Sequence, residues 1–356
     1  MMFDSPEDAR LALQAYFDTP RIEMLVEALV PTLVFEVAPG KRIVVGDTKF
    51  GGRPDLPAGS AWPRPPAPAD PEAIASQGNA EAGAEMRRHL AQGLPYTFIA
   101  QIDLAEAASL GNAASPLPPD GRLLFFYDLA VGPWETGKRP AKVIWDRAPR
   151  NKLATLAMPE DLARAAEKAR RDAAENRAKY KLPEPSQAEG SNYEAPERGM
   201  TLRASLSLPD PSAIEMEASA KLNAAYSAAE GTQSGKNGQS FEEAYGEALT
   251  AGGKLKPAGR WHRQQLLGSP QPEQDDPRYD AVIVSQFGKQ HLSSDEWKKE
   301  RSAVMAAAHD WVLLFQLDLA DWSAGAWGEG TVYFLTRRKD LEQRRFDEVV
   351  AVYQQT

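Results

Sequence analysis

Phe98-Ile99-Ala100-Gln101-Ile102-Asp103-Leu104 and Leu313-Leu314-Phe315-Gln316-Leu317-Asp318-Leu319 carry one pattern twice, with Gln, Asp and the final Leu in identical register. Successive residues of a strand face opposite sides of a sheet. The spacing therefore predicts an apolar face of Phe98, Ala100, Ile102 and Leu104, and a polar face of Gln101 and Asp103. Leu313, Phe315, Leu317 and Leu319 repeat the first, and Gln316 and Asp318 the second. Two further apolar strands follow each copy: Gly121 to Tyr127 and Lys142 to Trp145 after the first, Gly330 to Thr336 and Val349 to Tyr353 after the second. Agreement in order and chemistry predicts an internally duplicated α+β fold, a single domain over 1–356. Its repeats span about 94–148 and 309–356, mostly antiparallel β-units flanked by helices.

Outward from the repeats, Ser5-Pro6-Glu7-Asp8 is a helix start, with Ser5 as cap and Pro6 at the first position. A second helix begins at Thr19-Pro20, with Ile22, Leu25, Val26 and Leu29 on one face. Leu33 to Val37 and Arg42 to Val45 read as a hairpin leading to Lys49-Phe50-Gly51-Gly52. Seven prolines from Pro54 to Pro71 make an extended surface connection. Residues 72–92 and 159–250 read as helical and loop insertions, the second holding a long helix with an Ala stripe at 165, 166, 169 and 173.

Composition excludes more than it selects. The chain has 356 residues, 42% hydrophobic, enough for a sizeable core, so disorder over the whole length is excluded. A formal net charge of −9 argues against nonspecific binding to nucleic acid or anionic membrane. With 0 Cys there are no disulfides, no thiolate chemistry and no sulfur-ligated zinc. No basic-then-apolar leader and no long apolar run is present, so the chain reads as a cytoplasmic protein without a membrane partner. No cofactor motif is found: the Gly-x-Gly-x-x-Gly fingerprint, the phosphate-binding Gly-Lys-Ser/Thr ending and the Gly-x-Ser-x-Gly elbow are all missing.

Lys49-Phe50-Gly51-Gly52 with Pro54 and Leu56-Pro57, then Trp62-Pro63, then Phe98 to Leu104 and Gly121 to Asp128, resemble the YwqG-like proteins, a bacterial family catalogued as a domain of unknown function. Arg263 after His262, Leu266-Leu267-Gly268 with Pro270, the strand to Leu319, and Trp327-Gly328-Glu329-Gly330 before Tyr333-Phe334 continue the likeness to the C-terminus. Ser269 departs from a more usual aromatic residue, and Glu72 to Leu90 and Pro159 to Leu249 look expanded. The resemblance implies a duplicated α+β fold without an established activity. Neighbourhood to secreted toxins in some members implies binding or neutralising of a partner protein; fold alone does not fix this.

Candidate positions follow from chemistry. Lys49, Gly51 and Gly52 place a cation beside backbone N–H groups, which can hold a phosphate or carboxylate. Arg260, Trp261, His262 and Arg263 combine two guanidinium groups, an aromatic plane and an imidazole for an anionic ligand or acidic surface. Trp327, on a Gly-flanked turn, suits an interface anchor. Asp103 with Glu106, and Asp318 with Asp321, read as structural helix caps, and Gln101 and Gln316 as partners of backbone groups at the sheet edge. The four histidines His89, His262, His291 and His309 show no pair at i, i+3 or i+4, so no His-based metal site is expected. The expected function is a non-catalytic protein-binding module of immunity or regulatory type. The alternative is an enzyme or small-molecule receptor with an anion site in the crevice between the repeats.

Overall fold

In the computed structural model, which describes residues 2–38, 40, 42–185, 187–228, 235–250 and 264–355, the chain is helical and antiparallel β. The strands in chain order are β1 (Met2–Phe3), β2 (Val30–Val37), β3 (Lys49–Phe50), β4 (Asp55–Pro57), β5 (Thr97–Asp103), β6 (Arg122–Tyr127) and β7 (Ala141–Asp146). They continue with β8 (Leu153–Thr155), β9 (Arg198–Ser207), β10 (Gln265–Leu266), β11 (Trp311–Asp318), β12 (Thr331–Arg337) and β13 (Val350–Gln354). One sheet runs in the order β13-β12-β11-β10-β2-β9-β3-β5-β6-β7, with β1 also on β9, while β4 and β8 pair separately. Gly137 and Ala351 exchange two backbone hydrogen bonds, of 3.0 and 2.9 Å, which bring the two ends of the sheet together. The sheet is thus nearly a barrel.

That shape follows from which side chains need covering. Phe35, Phe50, Phe125, Phe315 and Phe334 meet inside, with Phe125 and Phe315 centroids 4.7 Å apart and Phe35 and Phe50 4.8 Å apart. Each such ring removed from water contributes about 2 kcal/mol, and each well-placed ring pair about 1 kcal/mol more. The interior between the two halves is filled by these rings and by Leu33, Met200, Leu266 and Ala351.

The expected face of Phe98, Ala100, Ile102 and Leu104 is broken by a bulge. The β5–β6 register shifts between Phe98 and Ala100, and the β11–β12 register shifts between Leu313 and Phe315. An extra residue in one strand reverses the side on which the preceding residues lie. Ala100 and Ile102 point into the barrel, but Phe98 packs outside with Trp62, Phe126 and Leu162. Likewise Phe315 and Leu317 are internal, whereas Leu313 lies outside with Trp311, Leu335 and Val304. The helices Pro277–Val282 and Ser294–Ala308 cover that second outer face.

Two other expectations change. Arg42 to Val45 forms no strand; β2 pairs with β9 over its whole length, Val30 opposite Ser207 to Val37 opposite Met200. β9 lies within 159–250, read as helices and loops. It belongs to the sheet because Met200 and Leu202 alternate inward, between the exposed helix Glu160–Tyr180 and the helices Ile214–Ala218, Ala220–Tyr226 and Phe241–Thr250. The N-terminal helix start is as read: the Ser5 hydroxyl accepts from Asp8 N, with Pro6 at the first position. Among the described residues no helix is long and apolar enough to cross a membrane.

Candidate functional site

Lys49 is the first residue of β3, opposite Gln101, and its side chain is only 2% exposed. A buried ammonium needs compensating charge. It finds Asp55 at 3.1 Å and Glu197 at 3.1 Å. Asp55 is wholly buried and also accepts from Gly46 N, Thr155 Oγ1 and Gln101 Nε2. Burial alone would raise its pKa, yet those hydrogen bonds and the Lys49 charge outweigh it and hold the carboxyl below its ordinary value.

The neighbouring glycines are equally committed. Gly51 N donates to Ile99 O and Gly52 N to Ala195 O, both at 2.9 Å. Gly51 lies at φ 62°, and a Cβ there would sit 2.5 Å from Pro196 O. Lys49, Gly51 and Gly52, expected to present an anion site, therefore form a closed turn whose donors already have acceptors.

Asp103 and Asp318 end β5 and β11 and cap the helices that follow, accepting from Ala105 N and Asp321 N. The reciprocal half of the expected box is absent at the first: Glu106 instead accepts from Thr48 Oγ1 and Leu202 N. Gln101 Oε1 takes Asp55 N and Gln316 Oε1 takes Gln271 N, each at 2.9 Å. Arg260, Trp261, His262 and Arg263 lie outside the described residues.

Trp327 leads to a different place. Its indole is half-buried, 6.2 Å from the ring of Tyr353 at 67°. Gly330, at φ 109°, makes that arrangement possible, since a Cβ there would lie 2.4 Å from the Tyr353 hydroxyl. These two rings wall one side of a cleft of about 260 Å³. The opposite wall is the helix Ala80–Gln92, capped by Asn79 and ended by Gly93 in the left-handed region. It contributes Ala82, Glu85, Met86 and His89, the i, i+3, i+4, i+7 face. Tyr193 and Trp134 also line it, with Asn192 and Gln355 as polar members.

His89 anchors the floor. It is 8% exposed, Nε2 lies 2.9 Å from Asp128 Oδ1, and its ring stacks on Tyr193 at 6.0 Å and 23°. A carboxylate only accepts, so the Nε2 facing Asp128 carries a proton. Nδ1 is buried without a hydrogen-bond partner. Asp128 is also 3.4 Å from Arg139 Nη2, and Arg139 Nε bonds Glu135. The loop carrying Tyr193 is pinned by Gly190 N to Ser323 O at 2.7 Å and by Thr97 Oγ1 to Asn192 O.

Beyond Tyr193 and His89 a second cleft, of about 610 Å³, opens against the helix Glu160–Tyr180. Its floor is the Ala stripe: Ala165, Ala169 and Ala173 line it, while Leu162 and Ala166 are buried below. Glu85, His89, Asn192 and Tyr193 border both clefts. The phenol of Tyr193 has its pKa raised by burial first and then by Glu85, Asp128 and Asp172; that of Tyr353 is pushed up to about 12 by burial and Glu329. Around Tyr193 the larger cleft is lined by both signs of charge, Glu85, Asp172 and Glu189 with Arg88, Lys168, Arg170 and Arg177.

Sequence reasoning missed His89, Asp128, Tyr193 and Trp134. The one available signal was the face Ala82, Glu85, Met86, His89; Asp128 lies 39 residues from His89 and no local pattern connects them. Among the described residues no group of three or more His, Cys, Asp or Glu is placed to hold a metal ion.

Residues 48–354, from the β3 entry to the end of β13, match a family described as a domain of unknown function (DUF1963). The chain belongs to that family. No curated protein matches it. The DUF1963 match contains the cleft residues from Glu85 to Tyr353, and leaves out the N-terminal helices and β2.

Proposed function

We propose that this DUF1963 chain is a non-catalytic protein-binding module, cytoplasmic and bacterial, of the YwqG-like kind and of immunity or regulatory type. Its recognition surface is the pair of clefts around His89 and Tyr193. One observation carries the reading: Trp134, Tyr193, Trp327 and Tyr353 pack against the cores behind them yet stay half-buried around one opening. Aromatic side chains in a concave, partly wet setting are what interface anchors require. The walls come from segments that look expanded relative to YwqG-like proteins, 72–92 and the helix Glu160–Tyr180.

The halves behind this surface are read as a duplicated unit. Support comes from matched bonds: Gly51 N to Ile99 O corresponds to Leu267 N to Leu314 O, and Leu104 N to Gly121 O corresponds to Leu319 N to Gly330 O.

A second reading, an enzyme or small-molecule receptor, is favoured by the His89–Asp128 pair, an imidazole oriented as general bases are. Against it, no hydroxyl or amine bonds Nδ1 among the described residues, and the carboxylates of Asp103 and Asp318 are held as helix caps.

Native mass spectrometry of the tagged chain purified from its own host decides between them. The binding-module reading expects a stoichiometric protein mass on the wild type, lost from Tyr193→Ala/Trp327→Ala although that variant still unfolds cooperatively above the assay temperature. A wild-type chain carrying only a small molecule, or a variant that keeps the partner, contradicts it.

A further inference from the structure

The smaller cleft has a chemical preference. Its lining offers four half-buried ring systems, those of Trp134, Tyr193, Trp327 and Tyr353, and one carboxylate, that of Glu85. No Lys or Arg is among its described lining residues. Glu85 is exposed and has no ion-pair partner among the described residues, unlike Glu72 on the same side of the molecule, which holds Arg87. Ring faces are the negative side of the aromatic quadrupole and attract cations. The Glu85 carboxylate and the ring faces thus ask for positive charge, beside the side-chain amides of Asn192 and Gln355, which offer donors and acceptors alike.

Resting on the binding-module reading, we infer that the smaller cleft receives an arginine side chain of the partner protein, its guanidinium stacked on the aromatic walls and hydrogen-bonded to Glu85. A guanidinium is planar, always charged and donor-only, so it satisfies a carboxylate and ring faces together. A quaternary ammonium meets the rings but has no N–H for Glu85. A carboxylate or phosphate meets neither. The formal charge of −9 adds long-range attraction for a basic partner.

The test is an NMR titration of the full chain, with the indole N–H groups isotope-labelled, against three capped amino acids. They are N-acetyl-arginine methylamide, its neutral isostere N-acetyl-citrulline methylamide, and N-acetyl-trimethyllysine methylamide. The Trp134 and Trp327 resonances are expected to shift and saturate with arginine, about tenfold more weakly with citrulline, and more weakly with trimethyllysine than with arginine. Glu85→Gln, a change at an exposed position, removes the arginine preference over citrulline and leaves the melting temperature unchanged. Equal binding of citrulline, an unchanged arginine preference in Glu85→Gln, tighter binding of trimethyllysine, or no saturable shift with arginine overturns the inference. If the host partner still leaves with Tyr193→Ala/Trp327→Ala in those cases, the binding-module reading stands and only the arginine assignment falls.

Discussion

Gln101 and Gln316 hold corresponding loops by the same bond: each side-chain oxygen accepts a backbone N–H at 2.9 Å, from Asp55 and from Gln271 respectively. Each glutamine faces a short strand across the ladder, Lys49 opposite Gln101 and Gln265 opposite Gln316. A positive-φ pair follows each short strand, Gly51-Gly52 in one half and Leu267-Gly268 in the other. Gln101 and Gln316 are therefore fasteners, each holding a loop beside the short strand it faces.

Removing a fastener leaves a backbone donor in the interior. Gln101→Ala strips the acceptor from Asp55 N and the donor from Asp47 O, and its cost is expected at about 1–3 kcal/mol. Gln316→Ala, whose recipient Gln271 is only partly buried, is expected to cost less. Urea unfolding of the two variants, compared at equal slope, measures both.

Lys49→Met probes the buried ion pair. Replacing the ammonium leaves Asp55, with 0% exposure, without its cation, and breaking such a pair from one side costs about 3–5 kcal/mol. The deficit is expected to shrink on acidification, since protonating Asp55 removes the stranded charge. Unfolding midpoints of wild type and Lys49→Met at about pH 7 and about pH 4 test both the size and the trend.

Gly51→Ala and Gly59→Ala separate backbone strain from collision. Both lie in the left-handed region, at φ 62° and 87°, but a Cβ at Gly59 meets nothing within 4 Å while one at Gly51 lies 2.5 Å from Pro196 O. Gly59→Ala is expected to cost about 1 kcal/mol, and Gly51→Ala clearly more, because the collision is with backbone. Equal losses in thermal unfolding would show that the turn yields freely.

Asp280 gives the chain an opposite pH signature to Asp55. Burial first, then the charges of Asp275 and Asp276, push its carboxyl up to about 6 from 3.8, against a hydrogen bond from Gln354. The folded chain then binds a proton that the unfolded chain has released between those two values. The group's stabilising contribution is fully present below 3.8 and is lost as pH rises through about 6. Asp280→Asn is accordingly expected to raise the melting temperature at about pH 7 and to leave it nearly unchanged at about pH 3.5.

The caps and strand positions of the fold were legible because each depends on residues near in sequence: Ser5 with Asp8, Asp318 with Asp321, and the β6 and β12 runs. The bulges were not, since one extra residue before Ala100 or Phe315 changes no local composition yet exchanges the faces. β9 escaped because its inward residues Met200 and Leu202 alternate with Thr201 and Arg203 for partners in β2, which is distant in sequence. The cleft was hidden for the same reason: its walls come from residues 82–89, 134, 193, 327 and 353, brought together only by the nearly closed sheet.

Hydrogen–deuterium exchange of the chain with and without its co-purified partner tests the binding surface most directly. Binding at the paired clefts predicts new protection in the helix Ala80–Gln92, in residues 190–193 and around Trp327, with the outer helix Ser294–Ala308 unchanged. Protection confined to Ser294–Ala308, with the cleft segments exchanging as in the free chain, would contradict the account.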